Sequence, residues 1–256
     1  MKDVRFCFNN KNFVVVGASS GIGRQIAFDL AEAGANVLAV ARNEERLSNL
    51  QGFFPEKIEI AIVDVLKATN DDWKKILGNF VGKVGKCHGG IYTAGIGGIS
   101  DLRGFDQEVA HQIFDTSLYG MLVFWSSFIK KKNVVQGSSF VAFSSVAAQS
   151  GEKGSIAYSA AKAAVRTSVK SIAKEICRDK HRINSISPGW VNTEMTSQSV
   201  MKNGMKSYEE MLALHRLGMG KPEDVSGITL FLLSDAARWI TGTDIVVDGG
   251  YLLGID

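Results

Sequence analysis

Short β-branched runs alternate with longer amphipathic stretches almost from end to end, and no other feature of the chain narrows its fold as much. Strands are expected at 13–17 (FVVVG), 36–41 (NVLAVA), 57–65 (KIEIAIVDV), 89–95 (GGIYTAG), 139–146 (SFVAFSSV), 182–189 (RINSISPG) and 244–250 (DIVVDGG). Helical periodicity occupies 22–33, 43–51, 70–84, 105–132, 155–179 and 222–234. Strands separated by helices pair in parallel, and a parallel sheet must be covered on both faces. Seven strands and six helices use up the 256 residues, and with only three prolines and no linker-like tract the reading is a single α/β domain, residues 1–256. The stretch 190–220 breaks the weave and reads as two helical pieces with loops. It holds five of the seven methionines, Met195, Met201, Met205, Met211 and Met219. Such side chains suit either a lid that repacks around substrate or ordinary core filling.

The first strand ends in GASSGIG, with Gly17, Gly21 and Gly23 spaced G-x-x-x-G-x-G just before a helix. The first N–H groups of a helix lack internal partners, and the helix dipole makes that end electropositive. Gly17 permits a tight turn, Gly21 a close approach of backbone to a pyrophosphate, and Gly23 the packing of helix on strand. These properties point to a dinucleotide. A carboxylate closing the second strand would select NAD, and a cation NADP. Here the strand closes on Val40-Ala41-Arg42-Asn43, 19 residues from Gly23 to Arg42. Arg42 is either the 2′-phosphate ligand or a surface guanidinium paired with Glu45 or Glu32; the lack of an acid favours NADP(H). Asp64 and Val65 end the third strand, where the crevice at the strand C-termini would receive adenine.

Tyr158 and Lys162 share one helical face at spacing i, i+4. An adjacent ammonium lowers a phenol's pKa toward the range where it can exchange protons at cellular pH. Ser145, thirteen residues before Tyr158, ends a strand on the edge of the sheet that carries the glycine turn, so its hydroxyl can hold a carbonyl while Tyr158 protonates it.

Composition excludes other classes. The net charge of +3 is dispersed, and the one basic run, Lys130-Lys131-Lys132, closes an apolar helical stretch where cations suit the dipole, so nucleic acid is not an expected partner. Cys7, Cys87 and Cys177 lie too far apart for a disulfide framework or a zinc motif, which indicates a reducing compartment. The opening MKDVRFCFNN has no apolar signal core, and no apolar run reaches the ~20 residues of a membrane span. A soluble cytoplasmic protein without a metal site is expected.

Taken together, GASSGIG (17–23), VDV (63–65), SSV (144–146), YSAAK (158–162), SPGWVNT (187–193) and the tail from Arg216 to Gly250 resemble the short-chain dehydrogenases/reductases of single-domain type, over essentially the whole chain. The resemblance implies a Rossmann-type, doubly wound, seven-stranded parallel sheet with helices on both faces, and a nicotinamide dinucleotide. It implies Tyr158 as acid/base, Ser145 as carbonyl ligand and Lys162 as ribose anchor. The turn Gly17, Ser19, Ser20, Gly21, Ile22 and Gly23 would hold the pyrophosphate, Ala94 and Gly95 would flank the cofactor, and Pro188, Gly189, Val191 and Thr193 its carboxamide side. Three positions, in two segments, depart from the family. Tyr92-Thr93 stand where Asn-Asn is usual, and Ser117 stands where the family's catalytic asparagine positions a water; a serine hydroxyl can also hold one. The chain is most similar to the β-ketoacyl-acyl-carrier-protein reductases, which implies reduction of a 3-oxoacyl thioester or similar carbonyl, free or carrier-bound. Hydroxysteroid, sugar and polyol dehydrogenases share the motifs, and a non-catalytic NADP-binding sensor is the reading from another class. Pairing of the fourth and fifth helical segments between subunits, as in the family, implies a homotetramer.

Overall fold

A computed structural model describes residues 4–98, 100–197, 209 and 212–254. Seven strands form one sheet: β1 (Asn12–Val16), β2 (Asn36–Ala41), β3 (Ile58–Ile62), β4 (Cys87–Tyr92), β5 (Val134–Phe143), β6 (Arg182–Pro188) and β7 (Asp244–Val247). Their order is β3-β2-β1-β4-β5-β6-β7, and every pair is parallel. The order reverses between β1 and β4, where neighbouring connections leave toward opposite faces and open a crevice at the strand C-termini.

The principal helices are α1 (Gly21–Glu32), α2 (Glu44–Gln51), α3 (Asn70–Val84), α4 (Gln107–Phe114), α5 (Gly120–Phe128), α6 (Ala147–Ser150), α7 (Ile156–Ile176) and α8 (Pro222–Leu233). Strand β1 shows why its sequence reads as an unbroken apolar run. Phe13 and Val15 pack with Ile26 and Leu30 of α1 and Leu230 and Leu233 of α8. Val14 and Val16 face the other way, into Trp73 and Phe80 of α3, Phe124 and Phe128 of α5, and Val165 and Val169 of α7. A strand buried on both faces cannot alternate.

The expected strands at 57–65, 89–95, 139–146, 182–189 and 244–250 all leave the sheet early at their C-terminal ends. Residues 63–65, 93–95 and 144–146 are loops over the crevice. They stay apolar or small because they line a site, so hydropathy carries the pattern past the last ladder bond. Strand β5 begins earlier than expected, at Val134, with a register shift opposite Cys87 and Gly89. The single helix expected over 105–132 is divided by a π-helical turn, Asp115–Tyr119. Of the two helical pieces expected in 190–220, the described residues contain a turn at 194–197 and helical residues at 212–214. Met201, Met205 and Met211 lie outside the described residues. Among the described residues no helix is long and apolar enough to cross a membrane.

Candidate active site

The turn after β1 is built around missing side chains. Gly17 has φ +94°, a left-handed conformation that favours glycine, and a Cβ there would stand 2.7 Å from the Ala94 nitrogen. A Cβ on Gly23 would run into the Gly17 carbonyl and Thr93 Oγ1. The close packing therefore belongs to Gly17 and Gly23, while Gly21 faces across the crevice toward Thr193 Cγ2, 3.1 Å from where its Cβ would be. Thr93, one of the three departures, pins the turn: its hydroxyl donates to the Val16 carbonyl at 2.9 Å and lies 3.3 Å from that of Gly17. Helix α1 starts at Gly21 with Ser20 as N-cap, and the Ser20 side chain makes no cap hydrogen bond. The uncapped helix end and the glycine cradle fit a pyrophosphate.

From this turn a cleft of about 1010 Å³ runs along the strand ends. It is lined by Ser19, Ser20 and Ile22, by Arg42, Asp64 and Val65, by Ala94 and Gly95, by Ser145, Tyr158 and Lys162, and by Pro188, Gly189, Val191 and Thr193. A volume of this size stands at the upper end of small-molecule and cofactor clefts. Arg42 is exposed on this wall and, among the described residues, makes no ion pair with Glu45 or Glu32.

At the far end, Ser144 and Ser145 follow β5 while Tyr158 and Lys162 lie in the first two turns of α7. The Ser144 hydroxyl donates to the Lys162 carbonyl at 2.8 Å and fixes the helix against the strand. Lys162 Nζ donates to the Phe143 carbonyl at 2.9 Å and lies 5.7 Å from the Tyr158 ring centroid. Burial drives its pKa from 10.5 to about 8. Ser145 Oγ accepts from the Ala147 nitrogen at 3.2 Å and stands beside the Tyr158 hydroxyl, whose pKa it lowers. Burial raises the phenol's pKa above its usual value, the neighbouring Ser145 hydroxyl opposes that, and the Glu152 charge adds to it. The lowering expected from Lys162 does not dominate, because its ammonium is bonded to a carbonyl and the phenol is desolvated.

Ser117 does not line the cleft itself; its neighbour Thr116 does. It is buried in the π-helical turn, and among the described residues its Oγ has no hydrogen-bond partner. A Cβ on Gly95 would lie 3.6 Å from this oxygen and 3.2 Å from Lys162 Nζ, so both groups gather around Gly95. The remaining departure, Tyr92, is buried and donates its hydroxyl to the Thr116 carbonyl at 2.7 Å.

Sequence reasoning passed over four charged groups on the cleft wall: Arg46, Glu152, Lys153 and Glu194. Arg46 carried a signal, since it lies one helical turn beyond Arg42. Glu152 is held by the Tyr251 hydroxyl at 2.5 Å, across 99 residues of sequence, and nothing local announces it.

Residues 17–252 match the protein family described as enoyl-(acyl carrier protein) reductase. The 3-oxoacyl-[acyl-carrier-protein] reductase FabG of Chlamydia pneumoniae is 33% identical over 94% of this chain and 96% of its own length. A cyclohexanol dehydrogenase of an Acinetobacter species is 30% identical over 95% and 96%. Among solved structures, a short-chain type dehydrogenase/reductase from Mycobacterium ulcerans superimposes with TM-score 0.88 at 28% identity, covering 97% of this chain and 92% of that one. ElxO with NADP bound gives 0.85 at 25% identity, over 95% and 99%.

Proposed function

The chain belongs to the short-chain dehydrogenase/reductase family and is an oxidoreductase acting on CH–OH/C=O groups, and from that premise we propose that it reduces a ketone to a secondary alcohol with NADPH. A 3-oxoacyl thioester, or a carbonyl of similar build, is the substrate this reading favours. One observation carries it: Ser145, Tyr158 and Lys162 converge at one end of a cleft whose other end is the glycine turn and Arg42.

In this reading the uncapped start of α1 and the turn from Gly17 to Gly23 hold the pyrophosphate, Arg42 the 2′-phosphate, and Asp64 and Val65 the adenine side. Ala94 and Gly95 give the cofactor room, and Pro188, Gly189, Val191 and Thr193 take the nicotinamide side. When bound, NADPH supplies a hydride from C4 of its nicotinamide ring. Ser145 holds the substrate oxygen by a hydrogen bond. Tyr158 gives that oxygen its proton as the carbon is reduced, so the alcohol O–H forms and the phenol becomes phenolate. A raised phenol pKa suits a donor, because the proton is in place at neutral pH. Lys162 stabilises the phenolate, and Ser117 positions a water through which the proton is replaced. The segment 190–220 acts as a lid on an otherwise single domain.

The cyclohexanol dehydrogenase among the relatives supports a second substrate class, plain cyclic ketones, on the same residues. Loss of NADPH absorbance at 340 nm, followed with acetoacetyl thioesters, cyclohexanone and hydroxyketones, tests the reading. Consumption by wild type and its loss by about 10²–10⁴ in Tyr158→Phe is the expected result. A panel that gives no consumption, or a Tyr158→Phe protein as active as wild type, overturns it.

A further inference from the structure

Arg46 of α2 forms an ion pair with Glu194, the first residue of the helical turn after Thr193, through Nη1 and Oε2. The partners are 148 residues apart and both line the cleft, one on the wall that carries Arg42 and the other beside the residues assigned to the nicotinamide. Thr193 meanwhile stands over Gly21. The 193–197 segment thus reaches across the phosphate-binding turn, and among the described residues this pair is its only ionic tie to the opposite wall.

The pair is placed to be exchanged. Asn43 Oδ1 accepts from the Arg46 nitrogen at 2.9 Å, so the backbone that carries the guanidinium is fixed one helical turn beyond Arg42. The two side chains are 45% and 55% exposed, and ion pairs so exposed are weak. A phosphate monoester carries more charge than a carboxylate and takes a guanidinium fork in two parallel bonds. Glu194, left beside it, would repel it.

Resting on the NADPH reading above, we propose that Glu194 is a specificity-determining residue: it holds Arg46 until the cofactor's 2′-phosphate displaces it, and this exchange tunes the discrimination between NADPH and NADH. NADH lacks the phosphate and leaves the pair intact. Glu194 then lowers affinity for NADPH alone, and Arg46 raises affinity for NADPH alone.

Dissociation constants from cofactor fluorescence, with the full chain and no substrate, decide this. Glu194→Gln is expected to tighten NADPH by about two- to fivefold and leave NADH unchanged. Arg46→Ala is expected to weaken NADPH by about tenfold, again with little change for NADH. In the Arg46→Ala background Glu194→Gln should tighten NADPH less than it does alone, because the exchange is gone and only the repulsion is left to remove. Equal changes for both cofactors would mean that the pair merely fastens the segment over any dinucleotide, and no change would mean an idle surface pair; either result overturns the proposal. If NADPH preference is abolished by Arg42→Ala yet untouched at 46 and 194, only this inference fails. Wild type binding NADH as tightly as NADPH overturns the cofactor reading and this inference with it.

Discussion

Lys162 is an ammonium held where water cannot reach it, and the chemistry keeps it there at the expense of stability. The unfolded chain holds this proton up to 10.5, the folded one only to about 8. Between those values the unfolded state binds more protons, so stability rises with pH across the window, and below about 8 the whole cost is in force. A shift of this size corresponds to about 3 kcal/mol. Lys162→Met also loses the bond to the Phe143 carbonyl, which offsets about 1–2 kcal/mol, so it should raise the melting temperature at pH 7 by about 2–8 °C while abolishing turnover, and the difference should shrink toward pH 10. A variant less stable than wild type at pH 7 would contradict this. Ser117 makes a parallel case. Removing an unpartnered buried hydroxyl leaves stability unchanged or improved, so Ser117→Ala should lower kcat, by no more than about 10²–10⁴, with NADPH affinity intact. Ser117→Asn should retain or raise activity, and a Ser117→Ala protein equal to wild type from pH 6 to 9 would route the proton elsewhere. Ser145, Tyr158, Lys162 and the glycines were legible because each reports through short, regular spacing. Thr93 and Glu194 act on partners 76 and 148 residues away, and such pairings leave no periodic trace in a sequence.

Between α4 and α5 the helix widens into the π-helical turn that carries Ser117. Tyr92 sustains it: its hydroxyl takes the Thr116 carbonyl, and Gly120 is required beside it, since a Cβ there would come within 2.7 Å of that oxygen. The pair that departs from the family thus divides the bracing, Tyr92 holding the π turn and Thr93 the glycine turn. Tyr92→Phe leaves a buried carbonyl unpaired and should cost about 1–3 kcal/mol, read by denaturant melts. It should also lower kcat as Ser117→Ala does, the two together being no worse than the more severe alone, because both act through one position. Thr93→Val should instead weaken cofactor binding. If Tyr92→Phe changes NADPH affinity and leaves kcat alone, this division is wrong. Strand order, parallel pairing and the two covered faces could all be read from periodicity. The π turn could not, because one extra residue in a helix leaves the apolar pattern of 105–132 unbroken. The strand ends were overextended for a related reason, since residues lining a cleft are as apolar as those pairing in the sheet.

For the whole molecule, the question is what covers the apolar surface the fold leaves outside. The aromatic residues of 121–129 are spent inward, with Phe124, Trp125 and Phe128 packed on the sheet. Two places stand out among the large apolar side chains that stay exposed. Leu102, Phe105 and Ile156 belong to adjoining segments, since Ser100 pairs with Ser155 and its hydroxyl accepts from the Ala157 nitrogen. Tyr119, the last residue of the π-helical turn, is exposed as well. The second place is β7, the last strand of the sheet, with Val246 exposed. Trp239, 97% exposed, lies five residues before that strand, and Leu253 follows it. An open edge strand invites pairing unless something covers it. Two separate self-complementary faces on one chain generate a tetramer of dihedral symmetry, as two isologous contacts close on themselves. Light scattering at micromolar concentration should give four times the 27.7 kDa of a single chain. Val246→Lys with Trp239→Asp should halve that mass while NADPH still binds, since neither residue lines the cleft. A wild-type protein that scatters as a 27.7 kDa monomer would show that these surfaces meet only water.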